Sequence, residues 1–560
     1  MSNTSPSCTR RAFVAGSAAA GALSLLAACG KKGGSGSTAS AADSAENVKW
    51  YINNPVSIDP YNCQETMGAQ VSYQLFDPLT TFDFDAQKLV GSAAESWEAN
   101  DDATEFTFHL RPGCKFHNGD PVTSEDFKRE WTRMVNPNSA IAGEFGPSEI
   151  TYHLALVEGY DELANGKADE FAGLSCPDDE TFVVKLSSPY ADFPYVCMHT
   201  ALSPVPKEAE DDPKSFFLAP IGNGPFKVAE AWEDGQSIVL TRFDGYWGDK
   251  PKVPGITFSI QKDMETAYKE FQAGNLDVTE VPVASIDAAK ADRGESKDGY
   301  NMSEGQHLLL GSQVATYYLV CNNTTEPFNN ADLRKGISLA INREAICKTL
   351  FKGARQPAGG IIPPGIDGYR ENAWECCAYD VDKAKEYLDK VAPADASGSR
   401  GITLTLSYNQ DGGHKEIMES VVGDLAKVGV SVESDTAEWS AILDQYHNGE
   451  YEFGRYGWTA DYPIMDNFLY SLFHSDSIGG DNVSGYSNPE VDQAISEARS
   501  TVDTDERIAK MQHADDLIGV DFPVIPIMYY AHDYAGSDRV KSLYIDPVIN
   551  AHMRDMELAE

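Results

Sequence analysis

The chain has 560 residues, too many for a single hydrophobic core, so two or three domains are expected. Asp and Glu number 86 against 44 Lys and Arg, a formal net charge of -42. That balance argues against nucleic acid, whose phosphates demand clustered cations, and against lying flat on an anionic membrane; it serves solubility and names no ligand.

The N-terminus reads Arg10-Arg11, then an apolar and small-residue run over residues 12–28, then Cys29. A positive start, an apolar stretch and small residues before a cut are the parts of a secretory signal. Leu26-Ala27-Ala28-Cys29 resembles the lipobox of bacterial lipoproteins, which implies cleavage before Cys29 and a lipid on its thiol. Thr9-Arg10-Arg11-Ala12-Phe13 resembles a twin-arginine export signal, although two arginines also serve as ordinary signal charge, so the export route stays open. Residues 1–28 are thus read as signal peptide and 29–47 as a lipidated flexible linker of Gly, Ser and Ala. No later apolar run is long enough to cross a bilayer, so the body is expected to be soluble and held by its lipid.

The body begins near Val48. Alternating apolar residues predict strands at Phe106, Phe108 and Leu110, at Phe182, Val184 and Leu186, at Ile256, Phe258 and Ile260, and at Ile402, Leu404 and Leu406. Between them, Thr123 is placed to cap a helix, with Val122 and Phe127 as a hydrophobic staple, and Asn488-Pro489 is a cap followed by Pro at the first helical position. Residues 416–428 place Ile417, Val421, Leu425 and Val428 on one helical face; Gly429 stops that helix and 430–433 reads as a strand. With 402–408 this predicts a strand-helix-strand unit with parallel pairing.

Ten cysteines are present; Cys8 leaves with the signal and Cys29 is the anchor, and the other eight show no CxxC and no zinc spacing. Outside the cell they can pair or remain isolated buried thiols. Enzyme motifs are missing: there is no GxSxG, no P-loop and no HExxH. Gly222-Asn223-Gly224-Pro225 lacks the third glycine of a dinucleotide fingerprint and reads as a tight turn before a strand, and Asp178-Asp179-Glu180 and Asp211-Asp212 lack calcium-loop spacing and read as solvated faces. Residues 456–469 hold Tyr456, Trp458 and Tyr462 around Asp461. This composition suits a pocket wall with one oriented charge, and equally a buried aromatic loop with Asp461 as a helix cap or a partner of Arg455.

The stretch from Leu89 to Phe127 contains Leu-Val-Gly-Ser-Ala-Ala-Glu-Ser-Trp-Glu and then Phe-Thr-Phe-His-Leu-Arg-Pro-Gly-Cys-Lys-Phe-His-Asn-Gly-Asp-Pro-Val-Thr-Ser-Glu-Asp-Phe. It resembles the signature of the oligopeptide-binding proteins of ABC importers, the bacterial extracellular solute-binding family 5. Gly222 to Lys227, Leu333 to Arg343, Gly457 to Tyr462 and Phe522 to Ile527 resemble further family segments in the expected order.

The resemblance implies an α/β, periplasmic-binding-protein-like fold: two lobes joined by a hinge, with an additional α+β domain. The expected parts are 48–91, 201–304 and 530–560 for lobe one, 92–200 for the extra domain and 305–529 for lobe two, with hinge strands near 315–320 and 527–530. Asp461 then pairs with the α-amino group of a peptide, and backbone around Trp458, Thr459 and Ala460, beside Tyr462, bonds the ligand main chain as an added strand. The implied function is capture of peptides at the outer face of the cytoplasmic membrane and delivery to permease subunits, with no catalysis, no cofactor and no metal, by a monomer held through the lipid on Cys29. Other readings are the same fold binding a sugar or a metal chelate, a peptide-sensing or chaperone-like surface lipoprotein, and, least supported, a secreted hydrolase. Ligand identity and peptide length, disulfide pairing and the permease served stay open.

Overall fold

Phe106, Phe108 and Leu110 form the buried face of strand Glu105–Leu110, as their alternation predicts. The computed structural model describes residues 46–63, 66–409 and 413–559, apart from the side chain of Ser440; the signal segment and Cys29 lie outside the described residues. The described residues belong to the compact unit 42–560. Among them, none of the helices is long and apolar enough to cross a membrane.

Strand Glu105–Leu110 lies in a four-stranded antiparallel sheet with Ala94–Ala99, Thr181–Lys185 and Leu174–Asp178. Helix Ser124–Val135 covers it: Phe127 stacks on Phe182 at 5.9 Å between ring centroids, and Trp131 meets the same ring edge-on at 5.1 Å. The helix begins where predicted. Thr123 and Asp126 form a reciprocal capping box, and Val122 packs on the core that holds Phe127.

A second, seven-stranded sheet runs Leu308–Leu309, Tyr534–Gly536, Val278–Glu280, Val48–Ile52, Gly255–Ile260, Ile238–Arg242, Phe226–Val228. Val48–Ile52 pairs in parallel with both neighbours, a mixed pattern that requires helical crossovers. Gly222-Asn223-Gly224 precedes its last strand. A Cβ on Gly222 would stand 1.9 Å from the Leu75 carbonyl oxygen, so these glycines permit close backbone packing. Asn223 fixes that approach by accepting from Asp77 N–H and donating to Asp77 O, each at 2.9 Å.

The third sheet has six strands in the order Gln356–Pro357, Val524–Ala531, Ser312–Cys321, Phe453–Thr459, Ile402–Asn409, Val430–Ala437. Ile402–Asn409, helix His414–Lys427 and Val430–Ala437 form the predicted parallel unit, in register from Ile402 opposite Val430 to Asn409 opposite Ala437. The second strand runs four residues past the predicted end, because it lies at the sheet edge where polar side chains such as Glu433 and Ser434 are exposed to solvent. Gly429 turns the chain at φ +81, where a Cβ would meet the Gly398 carbonyl oxygen at 2.1 Å.

Residues 315–320 and 527–530, read as hinge strands, are ladder-bound neighbours inside this sheet. The chain passes between the seven- and six-stranded sheets just beyond them, through Leu310-Gly311 and back through His532-Asp533. The architecture is an α/β two-lobed fold with an added small sheet, and mixed helices and sheets throughout.

Candidate ligand-binding site

Strand Phe453–Thr459 is bound along one edge to Ser312–Cys321, from Phe453 opposite Cys321 to Thr459 opposite Ala315. On its other edge Ile402–Asn409 reaches only Phe453 and Gly454. From Tyr456 to Thr459 that second edge has no ladder partner among the described residues, which leaves this stretch of backbone without a strand beside it. Arg455, Gly457 and Thr459 share one face by strand periodicity, and Asp461 follows just beyond the strand's end.

Beyond Thr459 the chain turns: Ala460 N–H donates to Val314 O at 2.9 Å, and helix Met465–Phe473 begins five residues later. Asn467, in its first turn and 2% exposed, organises the corner. Its Oδ1 accepts from the Trp458 indole at 2.9 Å and from Asp461 N–H at 3.3 Å, while its Nδ2 donates to Asp461 Oδ2 at 3.4 Å. Burial pushes the Asp461 carboxyl up to about 6; the Asn467 donor opposes that rise and Asp481 adds to it. The two bland roles open to Asp461 are not those the structure gives it: the helix cap is Ile464, and Arg455 donates to Tyr530 OH at 3.0 Å.

Thr459, Ala460 and Asp461 line a cavity of about 290 Å³ with Gln70 and Tyr73 of helix Thr66–Leu75, residues 198–200 and residues 548–550. Segments beside the four-, six- and seven-stranded sheets therefore line one cavity with this carboxylate. Trp458 and Tyr462 do not line it. The Trp458 indole is held by Asn467, and Tyr462 packs on the core of the four-stranded sheet. Tyr73 also borders a larger cavity, about 490 Å³, lined by Asp77, Asp83, Asp85 and Asp555, of which Asp77 is already bonded by Tyr246 OH and Trp247 Nε1.

Two groups of residues escape the sequence reading. The His153 and His199 rings lie 4.5 Å apart between centroids, tilted by 34°, and each offers a nitrogen within 4.8 Å of an Asp461 oxygen. Burial pushes His199 down to about 4, and burial together with His199 holds His153 well below the usual histidine range, so both rings are neutral at pH 7. The second group surrounds Tyr530. Arg455 lies 5.3 Å from the Tyr317 ring and 5.2 Å from Trp439, and Arg355 lies 5.0 Å from the Tyr530 ring. Among the described residues neither arginine is in an ion pair. No local motif marks either group.

The arrangement combines an acceptor for a cation, an unpaired strand edge and, six residues up the strand, a cation without a counter-charge. Residues 88–480 match the family model described as Bacterial extracellular solute-binding proteins, family 5 Middle. The chain is 29% identical to the oligopeptide-binding protein OppA of Bacillus subtilis (strain 168), with 95% of this chain and 96% of that protein covered. It is 30% identical to the dipeptide-binding protein DppE of the same organism, over 92% and 93%. The fold superposes on Haemophilus influenzae OppA in complex with RPPGFSPFR at a TM-score of 0.69, with 26% identity and 92% and 99% coverage. The chain belongs to the bacterial extracellular solute-binding proteins, family 5.

Proposed function

We propose that this protein is a lipid-anchored receptor on the outer face of the cytoplasmic membrane that captures peptides and passes them to the permease of an ABC importer, without catalysis of its own. The observation that carries the reading is the unpaired edge of residues 456–459 leading to the desolvated carboxylate of Asp461. A peptide laid along that edge gains main-chain hydrogen bonds that ignore its side chains. Its ammonium group reaches Asp461, forming a charge-assisted bond in a water-poor corner. Its carboxylate reaches Arg455, six residues earlier in the chain and so at a Cα distance of at most ~20 Å at ~3.3 Å per residue. Side-chain reach from both ends shortens the gap, so short peptides suit the site. The names of the relatives, which bind oligopeptides and dipeptides, support the same class of ligand. The lipobox-like Leu26-Ala27-Ala28-Cys29 supports the anchor.

The test is a double-mutant cycle by calorimetry, with native protein and Asp461→Ala against a free and an N-acetylated peptide. Breaking a buried ionic pair typically costs about 3–5 kcal/mol. Asp461→Ala should weaken the free peptide by roughly two to four decades, and should change the acetylated one little. A coupling below about 0.5 kcal/mol would remove Asp461 from ammonium recognition.

A further inference from the structure

We propose that His153, His199 and Asp461 form a site for a divalent transition metal, of the Zn²⁺ or Ni²⁺ class. One ligand atom from each lies within 4.8 Å of the others. His153 is 7% exposed, and neither of its ring nitrogens has a hydrogen-bond partner. An unsatisfied buried polar atom costs about 1–3 kcal/mol, so this ring is placed at a loss unless something binds it. Two imidazole nitrogens and one carboxylate oxygen suit borderline metals, and are a poor set for Mg²⁺ or Ca²⁺, which take all-oxygen shells.

Bonds of ~2.0–2.2 Å at tetrahedral angles place donors ~3.4 Å apart, so the three groups must draw in by about 1 Å. His199 Nδ1 now accepts from Ala201 N–H at 3.2 Å; binding a metal takes that lone pair or turns the ring over. The three ligands come from two parts of the fold. His153 sits on the short helix Thr151–Leu154 and His199 just before Thr200–Leu202, both beside the four-stranded sheet, while Asp461 follows the six-stranded sheet. A bound ion therefore cross-links them. The fourth position opens to the cavity that His199 and Asp461 line, where water or a ligand group completes the shell. Asp461 cannot serve a metal and an ammonium group at once. The competition this implies rests on the peptide reading; metal binding itself does not.

The experiment titrates the purified full chain, stripped with a chelator, with Zn²⁺ and Ni²⁺ by calorimetry and by thermal melting. His153→Phe, His153→Gln, His199→Phe and Asp461→Asn are compared with the exposed control His447→Ala. One ion per chain is expected in the native protein and the control, with a rise in Tm. Each site variant should weaken binding at least tenfold and lose the rise in Tm, with an unchanged circular dichroism spectrum. The proposal is overturned if no ion binds, or if the folded His153→Gln and His199→Phe proteins bind as the native one does. Zn²⁺ should also weaken a free-amine peptide and leave an N-acetylated one unaffected. Metal binding without that competition overturns the ammonium role of Asp461 and leaves the metal site standing. Loss of free-peptide binding in Asp461→Ala, with no ion bound to the native chain, does the reverse.

Discussion

The backbone N–H of His532 donates to the carbonyl of Gly311 at 2.8 Å, which ties together the two segments through which the chain passes between its larger sheets. The His532 ring is buried and meets Tyr300 edge-on at 5.6 Å, and Tyr300 OH donates to Ser312 O at 2.7 Å. Ladder-bound strands on either side are stiff, so a rotation between the sheets should be taken up at these paired crossings. A ligand that contacts both lobes should stabilise a closed arrangement. Small-angle scattering should show the radius of gyration falling when peptide is added to protein freed of endogenous ligand by unfolding and refolding. An unchanged radius at saturation would rule out closure.

Affinity for a free-amine peptide should be greatest between about pH 6 and 8, measured in metal-free buffer. The Asp461 carboxyl is raised to about 6 by burial, so below that value it takes up a proton and the ammonium group loses its counter-charge. A cationic ligand favours the ionised form, so binding expels that proton, and affinity falls by up to tenfold per pH unit as the pH drops below about 6. Above about 8 the peptide's own amine, with a pKa of roughly 7.7–8.0, deprotonates and affinity falls again. An N-acetylated peptide should lack both limbs. A flat profile from pH 5 to 7 with the free peptide would contradict the pairing.

Arg133→Met should destabilise the fold by about 3–5 kcal/mol. Arg133, 3% exposed, bridges Asp59 and Glu130, both 0% exposed. Burial pushes Glu130 up to about 8 against the pull of Arg133, and Asp59 adds to the rise. Removing the cation leaves two buried carboxyl groups facing each other. Denaturant unfolding followed by tryptophan fluorescence measures the change, and a loss under about 1 kcal/mol would show that the cluster relaxes without penalty.

Cys29→Ser should release the protein into the medium or leave an uncut precursor in the membrane. Diacylglyceryl modification supplies two acyl chains, and two signals are what stable anchoring requires. A variant that is still cut and still membrane-bound would exclude Cys29 as the lipid carrier.

Much of the scaffold is legible in residue order, because strand alternation and helix caps are local. The faces of Glu105–Leu110 and His414–Lys427, and the caps at Thr123 and Asn488, need no long-range information. The corner at Asp461 is legible as a pocket wall, but its support is not: Asn467 earns no notice until a helix turn brings it back on Trp458 and Asp461. His153 and His199 are 46 positions apart and meet through packing of separate short helices, so no spacing rule finds them. The glycines at 222 and 224 have a tertiary cause, the backbone of Leu75, where sequence alone suggests only a turn.

The cysteines leave a final consequence. All eight in the described residues are free thiols, seven of them buried, and burial raises those such as Cys321 and Cys377 to about 12. Thiolate is the reactive form, so these sulfurs are poor nucleophiles at neutral pH. Among the described residues the fold is therefore held without a covalent cross-link, and a reductant has no sulfur–sulfur bond there to break.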